Sequence, residues 1–233
     1  MMVVAYFVFV SILVIASQLL EIYSYILKGI KIDGYSRQLI GYAGFIHYFG
    51  RIIYVVVLMI LSYLFEVENV RSDMNYIFLF SFLTSLAFVF CVLNNNDIYY
   101  FFQRFVRLLS FFSYRNIKEP KFHKVEFSIT CNRVFIFSYF SSFCITLAFV
   151  APFIAAQIYP EYRMLATYSG QAMNFAATAI VLAVIEPVLF NELDSQKKEF
   201  NGMSETAVLI INAKICSLFS MVAVMGVLIY LGV

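Results

Sequence analysis

A chain of 233 residues that is 63% hydrophobic and only 13% charged, with a formal net charge of +2, has more apolar surface than a water-soluble fold of this size can bury. Its mean hydropathy of +0.86 places it in a bilayer, and no polar block is long enough to fold as a separate aqueous domain. A single helical unit over residues 1–233 is the expected organisation.

A helix needs about 20 apolar residues to cross the hydrocarbon core, and six stretches meet that length. The first runs from Val3 to Leu27. Its opening run, Met2 to Leu20, has no basic leader and no small-residue cleavage site, so it is expected to remain as a helix. Ser11, Gln18, Glu21 and Tyr25 fall within about 80 degrees on a helical wheel, a narrow polar stripe that must face protein or water and not lipid. The second span, Leu39 to Phe65, places Gly41, Gly44, His47 and Arg51 on one face. The GxxG pair predicts close helix approach there, and His47 and Arg51 carry the polar stripe deeper. The third span is Tyr76 to Leu93.

The connection over about residues 94–124 is basic and aromatic. Within it Ile98 to Ser113 is too short and too charged to span, and its polar residues, Arg104 and Arg107 among them, gather in one arc of a helical wheel. An interfacial amphipathic helix capped by Asn96 or Asp97 is predicted, with Arg104 and Arg107 as contacts for anionic lipid or simply as anchors. The fourth span, Val134 to Tyr159, is followed by a fifth, Ala166 to Phe190, in which Gln171, Asn174 and Thr178 form another polar stripe. Glu186 stands near the edge of that stripe, directly before Pro187. Because proline has no N–H to donate one turn back, the helix is expected to be disturbed there, leaving an acceptor beside a carboxylate. The sixth span, Ala207 to Leu231, has Lys214 and Ser217 on one side and Asn212, Cys216 and Ser220 on another. The expected fold is therefore all-α, a polytopic membrane bundle of about six transmembrane helices plus one interfacial helix.

Basic residues set the expected orientation. Lys28, Lys31 and Arg37 fall in the first connection, the six bases from Arg104 to Lys124 in the third, and Lys197 and Lys198 in the fifth, against Arg71 and Arg163 opposite. Odd connections are thus predicted to be cytoplasmic and both termini to lie outside the cytoplasm. The chain has no Trp, so an interfacial belt must be tyrosine, with Tyr23, Tyr25, Tyr63, Tyr76, Tyr159 and Tyr162 near the span ends.

Glu21, Arg51, Glu186 and Lys214 are the charges kept inside spans, where each costs on the order of 3 kcal/mol to insert. The simplest account is interhelical pairing, for example Glu21 with Arg51 and Glu186 with Lys214. The sharper account is a polar cavity in which Arg51 and Lys214 receive an anionic headgroup, Glu21 and Glu186 hold those bases when it is empty, and Asn174, His47 and Gln18 line it. His47 and His123 are the only histidines, neither stands in a metalloprotease motif, and no phosphate loop or metal spacing occurs. No catalytic residue, metal or cofactor is expected, and no nucleic acid partner either.

Leu20 to Tyr25 (LEIYSY) ends the first span and leads through Gly29 to a basic turn, Arg51 lies deep in the second, and Asn174 to Thr178 (NFAAT) leads to Glu186-Pro187 and Asp194. In these features the chain resembles the Amj-type lipid II flippases, although that resemblance implies Asp-Pro where Glu186-Pro187 stands. It implies a non-enzymatic flippase in the bacterial cytoplasmic membrane, moving an undecaprenyl-pyrophosphate-linked peptidoglycan precursor. Alternatives are a flippase for another polyprenyl-linked oligosaccharide, or a structural protein of envelope assembly in which the charges only pair helices. Six helices enclose little volume for so large a headgroup, so a homodimer is a further expectation, with membrane lipids as the remaining partners.

Overall fold

The computed structural model describes residues 2–31, 36–67, 74–94, 132–195 and 202–232. The predicted interfacial helix, with Arg104, Arg107 and His123, lies outside the described residues. Among the described residues six helices are long and apolar enough to cross a membrane. They are α1 (Met2–Gly29), α2 (Ser36–Val67), α3 (Met74–Asn94), α4 (Arg133–Ile158), α5 and α6 (Glu205–Leu231). Helix α5 is built of Arg163–Ile180, a π-helical turn Val181–Ile185 and Glu186–Ser195, and a 3-10 turn, Pro160–Tyr162, precedes it. Each predicted span falls inside one of these helices, except that the fourth runs one residue past Ile158 to the C-cap Tyr159. The fold is that of a polytopic helical bundle.

The helix ends follow local chemistry. Asn132 caps α4 by accepting from the Val134 amide at 3.4 Å, and Ser204 Oγ caps α6 by accepting from the Ala207 amide at 3.1 Å. Helix α6 stops at Gly232, whose φ of 72° is the left-handed conformation that a residue without Cβ adopts at little cost. The π turn answers the problem set by Pro187: the Glu186 N–H donates to the Val181 carbonyl, five residues back, so the helix widens by one residue where proline cannot supply an N–H.

The helices form an arc. Helix α1 packs on α2, α3 and α6; α6 packs on α1, α3 and α4; and α4 packs on α5. Burial reflects this order, with 72% of the first apolar span inside the protein against 28% of the second and 22% of the fifth. Helices α2 and α5 are thus the ends of the arc, and their outer sides, including Phe45, Ile52, Met59, Phe175 and Leu182, stay exposed as lipid-facing residues must. Aromatic rings fill the centre, Phe78 lying 5.8 Å from Phe153 across α3 and α4. Small hydroxyls tie the close contacts: Ser81 donates to Ser11 at 3.0 Å, and Ser141 to the Ala177 carbonyl at 3.0 Å.

At one face the ends of three helices are joined. Ile30–Lys31 and Gly202–Met203 pair as a two-residue antiparallel ribbon, and the Ser204 amide donates to the Gly29 carbonyl at 2.8 Å. Glu192, near the end of α5, accepts from the Ser204 hydroxyl and from the Glu205 and Thr206 amides at 2.9–3.0 Å. A carboxylate at a helix N-terminus meets both free amides and the positive end of the helix dipole. The first and fifth connections therefore share one face, as the alternation of six spans requires.

Three expectations about packing are corrected. Gly41 and Gly44 do not bring helices together: a Cβ at either would meet nothing within 4 Å. The close approach is at Gly170 of α5, where a Cβ would stand 2.6 Å from Pro152 Cγ and 2.8 Å from the Ala148 carbonyl oxygen of α4. Gly170→Ala is accordingly expected to destabilise by about 1–3 kcal/mol, because backbone must yield. Unfolding midpoints in detergent check this, Gly41→Ala leaving the midpoint unchanged or raised. Tyr23 and Tyr25 are buried core residues and not belt residues, since the last turns of α1 are enclosed on every side, whereas Tyr63, Tyr76, Tyr159 and Tyr162 are exposed. Lys28 is not a loop residue; it closes α1 and is buried.

Candidate functional site

The polar stripe of α1 turns inward as its periodicity requires, and Ser11, Gln18, Glu21 and Tyr25 are all buried. Lys28 continues it, since Glu21, Tyr25 and Lys28 stand at positions i, i+4 and i+7 of one helix face. Helix α2 brings His47 and Arg51 against this stripe one turn apart.

The expected pairing is corrected: Glu21 pairs with Lys214 of α6, and Glu186 pairs with Lys28. Depth explains the first. Glu21 lies eight residues before the end of α1 at Gly29 and Lys214 nine residues after the start of α6 at Glu205, on antiparallel neighbours joined at those ends. At 1.5 Å per residue both groups sit about 12–14 Å from the shared face. The second follows from reach. Glu186 of α5 is met by the long arm of Lys28, whose ammonium also stands 5.4 Å from the centroid of the Tyr25 ring. Lys214 is 1% exposed and its carboxylate partner 8%, so this pair is out of water and lipid alike.

Arg51 is held differently. Its Nη1 donates to the amide Oδ1 of Asn174 at 2.5 Å, and among the described residues no carboxylate lies within 4.0 Å of it. Counting the buried cluster, the three cations Lys28, Arg51 and Lys214 face the two carboxylates Glu21 and Glu186. The surplus positive charge rests on Arg51, against a neutral acceptor.

A small cavity opens beside it. Ser17 and Glu21 of α1, His47, Gly50, Arg51 and Tyr54 of α2, and Ile145 and Phe149 of α4 form its walls. Its volume, measured as space open to the centre of a water molecule, is about 10 Å³, which is room for roughly one water. His47 Nδ1 lies 3.5 Å from Ser24 Oγ, and the ring meets Tyr25 edge-on at 6.2 Å. Tyr54 closes the far wall, its ring centroid 3.5 Å from that of Phe149. Gly50 faces α1, where a Cβ would stand 3.4 Å from Leu20 Cβ, at ordinary van der Waals contact.

Of the residues singled out from sequence, Glu21, His47 and Arg51 share these walls. Lys214 stands behind Glu21, Asn174 reaches Arg51 from α5, and Glu186 belongs to the separate pair with Lys28. Gln18 is 1% exposed and does not line the cavity; its Oε1 is buried without a hydrogen-bond partner among the described residues. Sequence reasoning missed Lys28 and Tyr54. The spacing from Glu21 was the available signal for Lys28, and nothing local marked Tyr54. Among the described residues no group of three His, Cys, Asp or Glu side chains is placed to hold a metal ion. No protein-family model, curated protein or solved structure matches this chain.

Proposed function

We propose that this multi-pass membrane protein is a flippase for a polyprenyl-pyrophosphate-linked cell-wall precursor of the lipid II class, acting in the bacterial cytoplasmic membrane. The observation that carries the reading is Arg51, a guanidinium kept within an apolar span, bordering a polar cavity and bonded to a neutral amide. A planar fork of donors suits phosphate oxygens, and an intramembrane cation in no direct ion pair is stabilised when an anion binds it. Lys214 is committed to Glu21, so the site proposed for the headgroup centres on Arg51 with Asn174 and His47, and Glu21 and Lys214 set the surrounding charge. A cavity with room for roughly one water admits no sugar, so capture requires the helices around Arg51 to part, and a homodimer belongs to the same reading.

The direct test is complementation of a bacterium depleted of its own lipid II flippases. Growth is expected to return when the protein reaches the membrane; no growth at normal membrane levels would remove the peptidoglycan assignment. Restoration of another polyprenyl-linked glycan in matching hosts would then identify the cargo.

A second reading is a structural protein of envelope assembly, favoured by the two neutralised pairs Glu21–Lys214 and Lys28–Glu186. Exchanging Glu21 and Lys214 separates the two. A purely structural pair survives the exchange with stability and phenotype intact, whereas a directional headgroup site loses transport while the bundle stays folded.

A further inference from the structure

The contact between the two ends of the arc is polar. Helix α2 has its packed face on α1 and helix α5 has its own on α4, and they share no extensive face with each other. Across this seam Arg51 of α2 is hydrogen-bonded to Asn174 of α5. A seam closed by a polar side-chain contact, with Ile145 and Phe149 of α4 lining the cavity behind it, differs from ordinary helix packing, in which interdigitated side chains do the holding.

Three further observations bear on this seam. Of the three cations in the cluster, Arg51 is the one with no carboxylate within 4.0 Å, so its bond to Asn174 is a charged donor on a neutral acceptor, weaker than the same donor on a phosphate. The residues next in sequence, Ile52 on α2 and Phe175 on α5, are 60% and 78% exposed, which sets apolar flanks on either side of the polar bond at the same depth. The π turn Val181–Ile185 stands between Asn174 and the anchored half of α5, where Glu186 pairs with Lys28 and Glu192 caps α6. It divides the bolted half from the fixed half at a point where the regular ladder is already interrupted.

We infer that the seam between α2 and α5 is a lateral portal for a lipid phosphate, in which Asn174 is a stand-in ligand that the phosphate displaces from Arg51. The headgroup enters beside Arg51 while the tail stays in the bilayer against the flanks that Ile52 and Phe175 provide. Capture and opening are then one event, since taking Arg51 removes the bolt. This rests on the flippase reading for the identity of the natural lipid only; the chemistry required is a net-anionic terminal phosphate on a membrane-anchored tail, which the zwitterionic phosphodiester of phosphatidylcholine does not offer.

Spin labels at Tyr48→Cys and Ala179→Cys, both exposed and on either side of the seam, report its width by pulsed dipolar spectroscopy in nanodiscs of a variant lacking the native cysteines. In phosphatidylcholine the distribution is expected to be short, and adding phosphatidate should shift a fraction outward by several ångströms, while inorganic phosphate in the buffer does not. Asn174→Ala should show the long distance without phosphatidate. Asn174→Asp, which gives Arg51 a carboxylate, should stay short with or without it. A distribution unchanged across all arms overturns the portal, as does a loss of melting temperature in Asn174→Ala with no change in distance. An equal response to inorganic phosphate overturns the lipid as its ligand. Opening by phosphatidate without growth rescue would dismiss flipping and leave the portal; rescue without opening would do the reverse.

Discussion

Replacing Lys214 with methionine is expected to destabilise the bundle by about 3–5 kcal/mol, because it leaves the Glu21 carboxylate buried with its cation removed. The pair is 1% and 8% exposed, so the orphan is cut off from bulk water and keeps only the small cavity it shares with His47 and Arg51. Thermal unfolding in detergent measures the loss. Glu21→Gln in the Lys214→Met background should recover most of it, since a neutral amide costs far less to bury than a charge. A double variant no more stable than Lys214→Met alone would mean that lost packing around the lysine stem, and not charge, carries the effect. The recovered variant is also the informative one for function. If stability returns and transport does not, the charges serve more than assembly.

The second large effect is expected at Arg51. Arg51→Ala should leave the fold intact, because its partner Asn174 is half-buried and neutral and is not stranded as a charge. Transport should fall by about 10- to 100-fold, which corresponds to losing one hydrogen bond from a charged donor at about 1.5–3 kcal/mol. Arg51→Lys keeps the charge but loses the two-point fork, so it should recover only part of the rate. The measurement is growth rescue together with precursor accumulation on the inner leaflet, at matched membrane levels. Full activity in Arg51→Ala would remove the headgroup site as proposed while leaving the membrane fold untouched.

The spans were legible because the requirement behind them is simple: a helix in lipid must be apolar over its whole length, and no soluble segment competes for that pattern. The inward stripe of α1 was legible for the same reason, since Ser11, Gln18, Glu21 and Tyr25 could not face hydrocarbon. The partners of the charges were harder. Pairing depends on which helices become neighbours, and hydropathy is silent on that; depth along antiparallel helices would have matched Glu21 to Lys214 had their adjacency been known. Lys28 misled because a base at a span end reads as a loop charge, although its position on the Glu21 face says otherwise. The GxxG pair on α2 misled in the opposite way, since small residues permit close approach without compelling it. The contact between Gly170 and Pro152 had no local mark at all, being set by how the α4–α5 hairpin closes. Arg51 and Asn174 were each singled out, but their meeting across the ends of the arc is a property of the assembled bundle.

Glu192, Ser204 and Gly29 clamp the ends of α5, α6 and α1 to one another at a single face of the membrane. A fan of rods pinned along one rim spreads as a wedge, least at the pin and most at the free edge. Relative motion of α1 and α6 is therefore expected to be smallest at that face, so that the leaflet beside the pin meets the stiffer wall.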